Sequence, residues 1–359
     1  MSLYPAISTM SLGHPSAHGL QERLAQAASH GFRGIELFFG DLEYMARRHP
    51  GGVTPLNLQI AAFKARQLCD KFRLSVICLQ SFEFYEGLLN RNDHDRRIAH
   101  AHLWFDICHL LQTDLILVPS NSLGTDIETG APKTTSNITV IVEDLQKLAD
   151  LGRAQSPPIR FAYEALAWGS HINLWEKAWK VVQCVNRPNF GLCIDTFHVA
   201  GRVYADPTRR SGTVPGGKRK LNNSLVRLEA WIKIDKLFLL QIADGERLDS
   251  PLVDGHPWHV PLQPPRMSWS RNARLFPCEP ERGGYLPVMD ILRVFLRKGY
   301  LGWASMELFS WTAIKADFTV PSDHAGRASE SWRRMAKEWA QGNKTTVSKD
   351  FFGSPLLQI

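Results

Sequence analysis

Phe190-Gly-Leu-Cys-Ile-Asp195 is a short apolar run that ends in a carboxylate, and the chain repeats this device. Arg160-Phe-Ala-Tyr-Glu164, Lys236-Leu-Phe-Leu-Leu-Gln241 and Trp303-Ala-Ser-Met-Glu307 each read as a buried strand closing on an oxygen donor. A carboxylate at the exit of an apolar strand is costly unless something compensates its charge. Any one of these residues could simply cap a helix or face water. The set recurs in step with an alternation of strand-like and helix-like segments, so the donors are expected to converge at one end of a parallel barrel. Converging oxygens are what a hard divalent cation requires.

Outward from these runs the alternation continues. Residues 5–9, 34–39, 74–79 and 115–118 read as further strands, with helix-like segments at 20–30, 56–72, 93–111 and 136–152. Helices are expected near 172–183, 221–231 and 287–298, and a terminal helix at 322–339. Strands that each lead into a helix predict an α/β chain folded as a (β/α)8 TIM barrel. The strands are near-continuous apolar runs, as parallel strands covered on both faces must be. One catalytic domain is expected at 1–341 and a tail at 342–359, poorly ordered or laid over a neighbouring subunit. Two long connections, 200–220 and 243–285, follow the sixth and seventh strands. Both belong to the face where such barrels carry their sites. The Gly/Lys-rich tip at 212–220 suggests disorder, whereas the aromatic content of the second connection argues for order.

The 359 residues are 44% hydrophobic and 21% charged, an ordinary globular balance. The net charge of +7 suits anionic ligands. Arg209-Arg210 and Lys218-Arg219-Lys220 lack aromatic interleaving, so no nucleic-acid partner is expected. The six cysteines have no CxxC spacing and mostly lie in apolar segments, as reduced residues of a cytoplasmic protein would. Neither a secretory signal nor a membrane-spanning run is visible. The Gly-rich nucleotide motifs and GxSxG are also absent.

Around the metal set, His198 stands three residues after Asp195 and is expected to project from the start of the following loop. Its near-neutral pKa suits proton transfer; packing on the loop or serving as a further ligand are the other roles open to it. Glu36 ends the second strand and is expected to reach the same mouth as a second catalytic residue, while Glu83 and Tyr85 follow the third, where either could line the pocket. Ser268-Trp-Ser-Arg271-Asn-Ala-Arg274 brings Ser270, Arg271 and Arg274 into the seventh connection. Arginines bind carboxylates through paired hydrogen bonds, so a small anionic substrate is expected. Trp168, Trp175 and Trp179 are assigned to helix packing.

The segments Ala6-Ile-Ser-Thr-Met-Ser-Leu-Gly13, Gly34-Ile-Glu-Leu-Phe38, Arg160-Phe-Ala-Tyr-Glu-Ala-Leu-Ala-Trp168, Pro188-Asn-Phe-Gly-Leu-Cys-Ile-Asp-Thr-Phe197, Tyr204-Ala-Asp-Pro207 and Met267-Ser-Trp-Ser-Arg271 together resemble the fungal 3-dehydroshikimate dehydratases of quinate utilisation. Those enzymes belong to the xylose isomerase-like TIM barrels, and the resemblance runs from about residue 6 to 339. It implies one divalent metal ion (Mg2+, Mn2+ or Co2+) on Glu164, Asp195, Gln241 and Glu307. It implies proton transfer by His198 and substrate contacts from Ser270 and Arg274, with Arg271 as the competing choice. The implied reaction converts 3-dehydroshikimate to protocatechuate and water. Bacterial relatives carry substrate-binding arginines near the third strand, where this chain has Phe82-Glu83-Phe84. Three other readings stay open. A sugar isomerase or epimerase would share the metal but not need Arg271 or Arg274. An AP endonuclease would want a His-rich zinc site, and a metabolite sensor would be catalytically silent. The sequence leaves homo-oligomerisation open.

Overall fold

Eight parallel strands close on themselves, and the side chains at their C-terminal ends meet inside the ring. The computed structural model describes residues 3–342. The first half runs β1 (Tyr4–Ser8), α1 (Leu20–Ser29), β2 (Gly34–Phe38), α2 (Phe39–Ala46), α3 (Pro55–Lys71), β3 (Ser75–Gln80), α4 (Arg91–Leu111), β4 (Leu115–Pro119) and α5 (Ile138–Arg153). The second begins with β5 (Arg160–Glu164), α6 (Trp175–Val185), β6 (Phe190–Asp195), α7 (Thr196–Val203), α8 (Gly217–Trp231) and β7 (Leu237–Ile242). It ends with β8 (Asp244–Gly245), α9 (Pro265–Ala273), β9 (Arg274–Leu275), α10 (Val288–Arg297), β10 (Trp303–Met306) and α11 (Val320–Gly342). The barrel closes in the order β1-β10-β7-β6-β5-β4-β3-β2, the expected (β/α)8 architecture with its terminal helix. Except for Gly342, the tail expected at 342–359 lies outside the described residues.

Register explains the convergence. Asp195 pairs with Gln241, Gln241 with Ser305, and Glu164 with Cys193. The Glu307 amide continues the ladder by donating to the Ile242 carbonyl at 3.1 Å. Side chains alternate along a strand, so Ala162, Cys193 and Leu239 fill the ring below the oxygen donors. The larger apolar side chains pack between strands and helices, where Phe161, Phe190, Trp104 and Trp332 are buried.

Three local features differ from expectation. Residues 196–203 form a helix because Asp195 caps it, its Oδ1 accepting the Phe197 N–H at 2.7 Å. His198 therefore sits on a first helical turn rather than in a loop. The Gly/Lys-rich tip is ordered: Gly216 takes φ +66° as N-cap, and residues 217–220 open α8. The seventh connection is likewise folded. It pairs β8 with β9 antiparallel, and α9 starts at Pro265, whose missing N–H costs nothing there. Glu279 clamps this insertion to α11 through two 2.8 Å bonds from Arg327.

Candidate active site

At the C-terminal mouth lies a cavity of about 350 Å3. Glu164, Glu307, His198 and Arg274 line its charged floor. Leu117, Phe84, Trp168 and Phe309 supply apolar walls, and Ser270 and Arg271 reach it from α9. Asp195 and Gln241 are buried beside the floor.

The carboxylates are held in the protonated direction chiefly by burial. Glu164 is pushed well above the usual range, with the charges of Glu307 and Asp195 adding to the effect. Glu307 is raised to about 8 by burial, opposed by Arg274, and Asp195 is raised on the same grounds. Glu164 Oε1 is buried without a hydrogen-bond partner. A cluster of acids this short of positive charge fits a divalent cation. Glu164, Asp195 and His198 also stand close enough to share an ion.

His198 is the exception on chemical grounds. Its Nδ1 faces the Ala167 backbone N–H at 3.1 Å, and Nε2 faces Arg274 Nη2 at 3.1 Å. A neutral ring accepts at one nitrogen only. Nδ1 faces only the backbone donor, whereas Nε2 has two carboxylate oxygens nearby to receive a proton, so Nδ1 accepts and Nε2 carries the proton. Burial first, then Arg274, hold the ring's pKa well below its usual value, so the ring is neutral. Nε2 lies 3.6 Å from both Glu164 Oε1 and Asp195 Oδ2 and faces them as a donor.

Gln241 turns its amide nitrogen toward Glu36 Oε2 at 2.8 Å and Glu307 Oε1 at 3.0 Å. Its oxygen faces the Cys193 thiol at 3.1 Å. To bring that oxygen to an ion, the amide must rotate. Glu36, expected at the mouth, does not line the cavity. β2 and β7 are not neighbours, so its bond to Gln241 crosses the barrel interior, where it is fully buried. Burial raises its carboxyl to about 7.

The two arginines separate. Arg271 is exposed at the rim, with Nη1 held by Gln263 Oε1 at 3.1 Å. Arg274 is buried instead, and Nη1 donates to Asp195 at 2.6 Å and Glu307 at 2.7 Å. Ser270 Oγ accepts its Nε–H at 2.9 Å, and its guanidinium lies over the rings of Phe197 and Phe309.

Trp168 departs from the expected helix packing. It precedes α6, lines the cavity and packs edge-on against His198 at 4.9 Å, while Trp175 and Trp179 are buried on α6 as expected. Its position four residues after Glu164 was the available signal. Glu83 lines the cavity, but Tyr85 is buried away from it. The Ala167 amide has no side-chain signature and was missed.

The family described as xylose isomerase-like TIM barrel matches residues 24–338. The 3-dehydroshikimate dehydratase of Neurospora crassa is 43% identical over 341 residues, covering 93% of each chain. That of Pseudomonas aeruginosa is 30% identical over 305 residues, 85% of this chain but 38% of its own length. This chain therefore spans well under half of that bacterial relative. A solved xylose isomerase-like TIM barrel/4-hydroxyphenylpyruvate dioxygenase fusion protein superposes with TM-score 0.70 at 25% identity, over 99% of this chain and 46% of that one.

Proposed function

The chain belongs to the xylose isomerase-like TIM barrel family, and from that membership we propose that it is a hydro-lyase converting 3-dehydroshikimate to protocatechuate and water. The observation that carries this reading is a cavity with an acidic floor and an arginine at its rim. Such a site suits a carboxylated ring whose ketone is to be activated. The likeness to the Neurospora enzyme along nearly the whole chain supports the same substrate.

Glu164, Asp195 and Glu307 would hold a divalent ion, with Gln241 joining if its amide turns. Mg2+, Mn2+ or Co2+ suits these oxygens better than zinc. Bound there, the ion supplies charge that polarises the substrate ketone and acidifies the adjacent C–H bond. Arg271 holds the substrate carboxylate at the rim. Glu164, whose Oε1 has no hydrogen-bond partner, takes the proton beside the ketone. Glu164 returns that proton to the departing hydroxyl, which leaves as water, while the neutral His198 ring steadies the same oxygen with a hydrogen bond from Nε2–H. Glu164 Oε1 is 3.6 Å from Nε2, so the carboxyl and the ring can address the same hydroxyl. His198 thus serves as a hydrogen-bond donor rather than the base, because the Ala167 amide occupies its other nitrogen. The apolar walls face the ring and keep bulk water from the floor, and aromatisation drives the last step, in which a ring C–H proton is lost and the former ketone oxygen gains one.

The test is incubation of purified, chelator-treated protein with 3-dehydroshikimate and each of the three ions, following the absorbance of the aromatic product. Product is expected with at least one ion and none with chelator, and a neutral ketose should stay unconverted. No product with any ion, or turnover of the ketose instead, overturns the reading and favours a sugar isomerase.

A further inference from the structure

We propose that Arg274 is a built-in competitor for the divalent ion: its guanidinium and the ion take the same Asp195 oxygen, so loading the ion releases the arginine into the cavity. This rests on the metal site proposed above.

Arg274 Nη1 sits on Asp195 Oδ2 and Glu307 Oε2 together, while the other oxygen of each carboxylate is already engaged. Asp195 Oδ1 accepts from the cap of α7, and Glu307 Oε1 accepts from Gln241. Asp195 Oδ1 is tied to that cap, so an ion held by Asp195 would need the oxygen the guanidinium uses, and two cations on one oxygen repel. A guanidinium can be bound and released here because its charge is permanent and spread over a plane. The rings of Phe197 and Phe309, at 4.5 and 4.9 Å, form a slot that keeps this plane in place. Ser270 Oγ holds Nε in the same plane, so release swings the whole guanidinium on its CH2 stem and gives up this bond too.

The cavity says where the tip goes. Arg274 already lines it, next to Ser270 and close in sequence to Arg271. Moved off the carboxylates, the guanidinium enters the space an anionic ligand would occupy. The Nε2 proton of His198 is also relieved of the facing Nη2 donor. Loading the ion would thereby prepare the site for an anion, and the two should bind with mutual reinforcement.

Mn2+ binding to chelator-treated protein tests this without reference to turnover. Arg274→Met, similar in length and uncharged, should bind Mn2+ at least about tenfold more tightly than the wild type. Without ion it should melt at a lower temperature than the wild type, and saturating Mn2+ should narrow that gap. Ser270→Ala, which only loosens the hold on Nε, should bind Mn2+ a few-fold more tightly and covers the case in which Arg274→Met fails to fold. Unchanged or weaker Mn2+ affinity in the folded variants overturns the proposal. A wild type that binds no divalent ion under any condition sinks the metal reading itself, a result distinguishable from the first.

Discussion

Arg271 and Arg274 lie three residues apart, a spacing that would put both on one face of a continuous helix. The helix ends at Ala273, so the side chains part: one reaches the rim and the other the floor. That break is why the sequence left their roles undivided. Arg271 can spend its charge on a ligand, since its protein partner is the neutral Gln263. A charge-assisted contact of this kind is worth roughly 1.5–3 kcal/mol. Arg271→Ala should accordingly raise KM for 3-dehydroshikimate on the order of 10- to 100-fold, with Arg271→Lys recovering only part because the planar fork is lost. Steady-state kinetics decide the matter, and an unchanged KM in both variants removes Arg271 from the substrate. The acidic residues were readable for the opposite reason. Each closes an apolar strand, and strand register alone brings it to its neighbours. The orientation of the Gln241 amide was not, because it depends on Glu36 from across the barrel.

Among the elements, α9 carries most of what distinguishes this mouth from a bare barrel. Trp269 anchors it: the indole is fully buried, packs on Phe197 at 4.6 Å and donates to the Glu246 carbonyl at 2.9 Å. Gly245 on β8 is small of necessity, since a Cβ there would lie 2.5 Å from the indole. Trp269→Ala should therefore destabilise the protein by about 3–5 kcal/mol, the usual cost of emptying a large aromatic site. It should also lower kcat/KM, because Ser270, Arg271 and Arg274 lose their common footing. Denaturant melts and kinetics on the folded variant measure the two effects, and a Trp269→Ala protein of wild-type stability would show that α9 is held elsewhere. The barrel strands and most outer helices were visible in the sequence as apolar period. α7 and α9 were not. The first is capped by a residue that also reads as a metal ligand, and the second is polar apart from its anchor.

At the scale of the whole molecule, buried acids extend beyond the site. Glu86 accepts the Asn121 N–H at 2.6 Å and the Tyr163 hydroxyl at 2.9 Å, joining the loops after β3 and β4 to β5. Burial lifts its carboxyl from 4.5 to about 7. Between those values the folded protein keeps a proton that the unfolded chain has released. The contribution is therefore full below about pH 4.5 and is lost as pH rises through about 7. Glu86→Gln lacks this dependence. From pH 4.5 to 8 the wild type should lose on the order of 3 kcal/mol relative to the variant. Parallel melting curves across that range would refute it. The insertion between β7 and α10 has a longer reach. Both arginines of the mouth ride on it, whereas the acidic floor belongs to strand ends that hold their places by register. Ligand choice and bond-breaking chemistry are thus inherited on separate stretches of chain. A descendant could exchange the first for a loop of another length and take up a different anion, or a neutral sugar, with the second untouched.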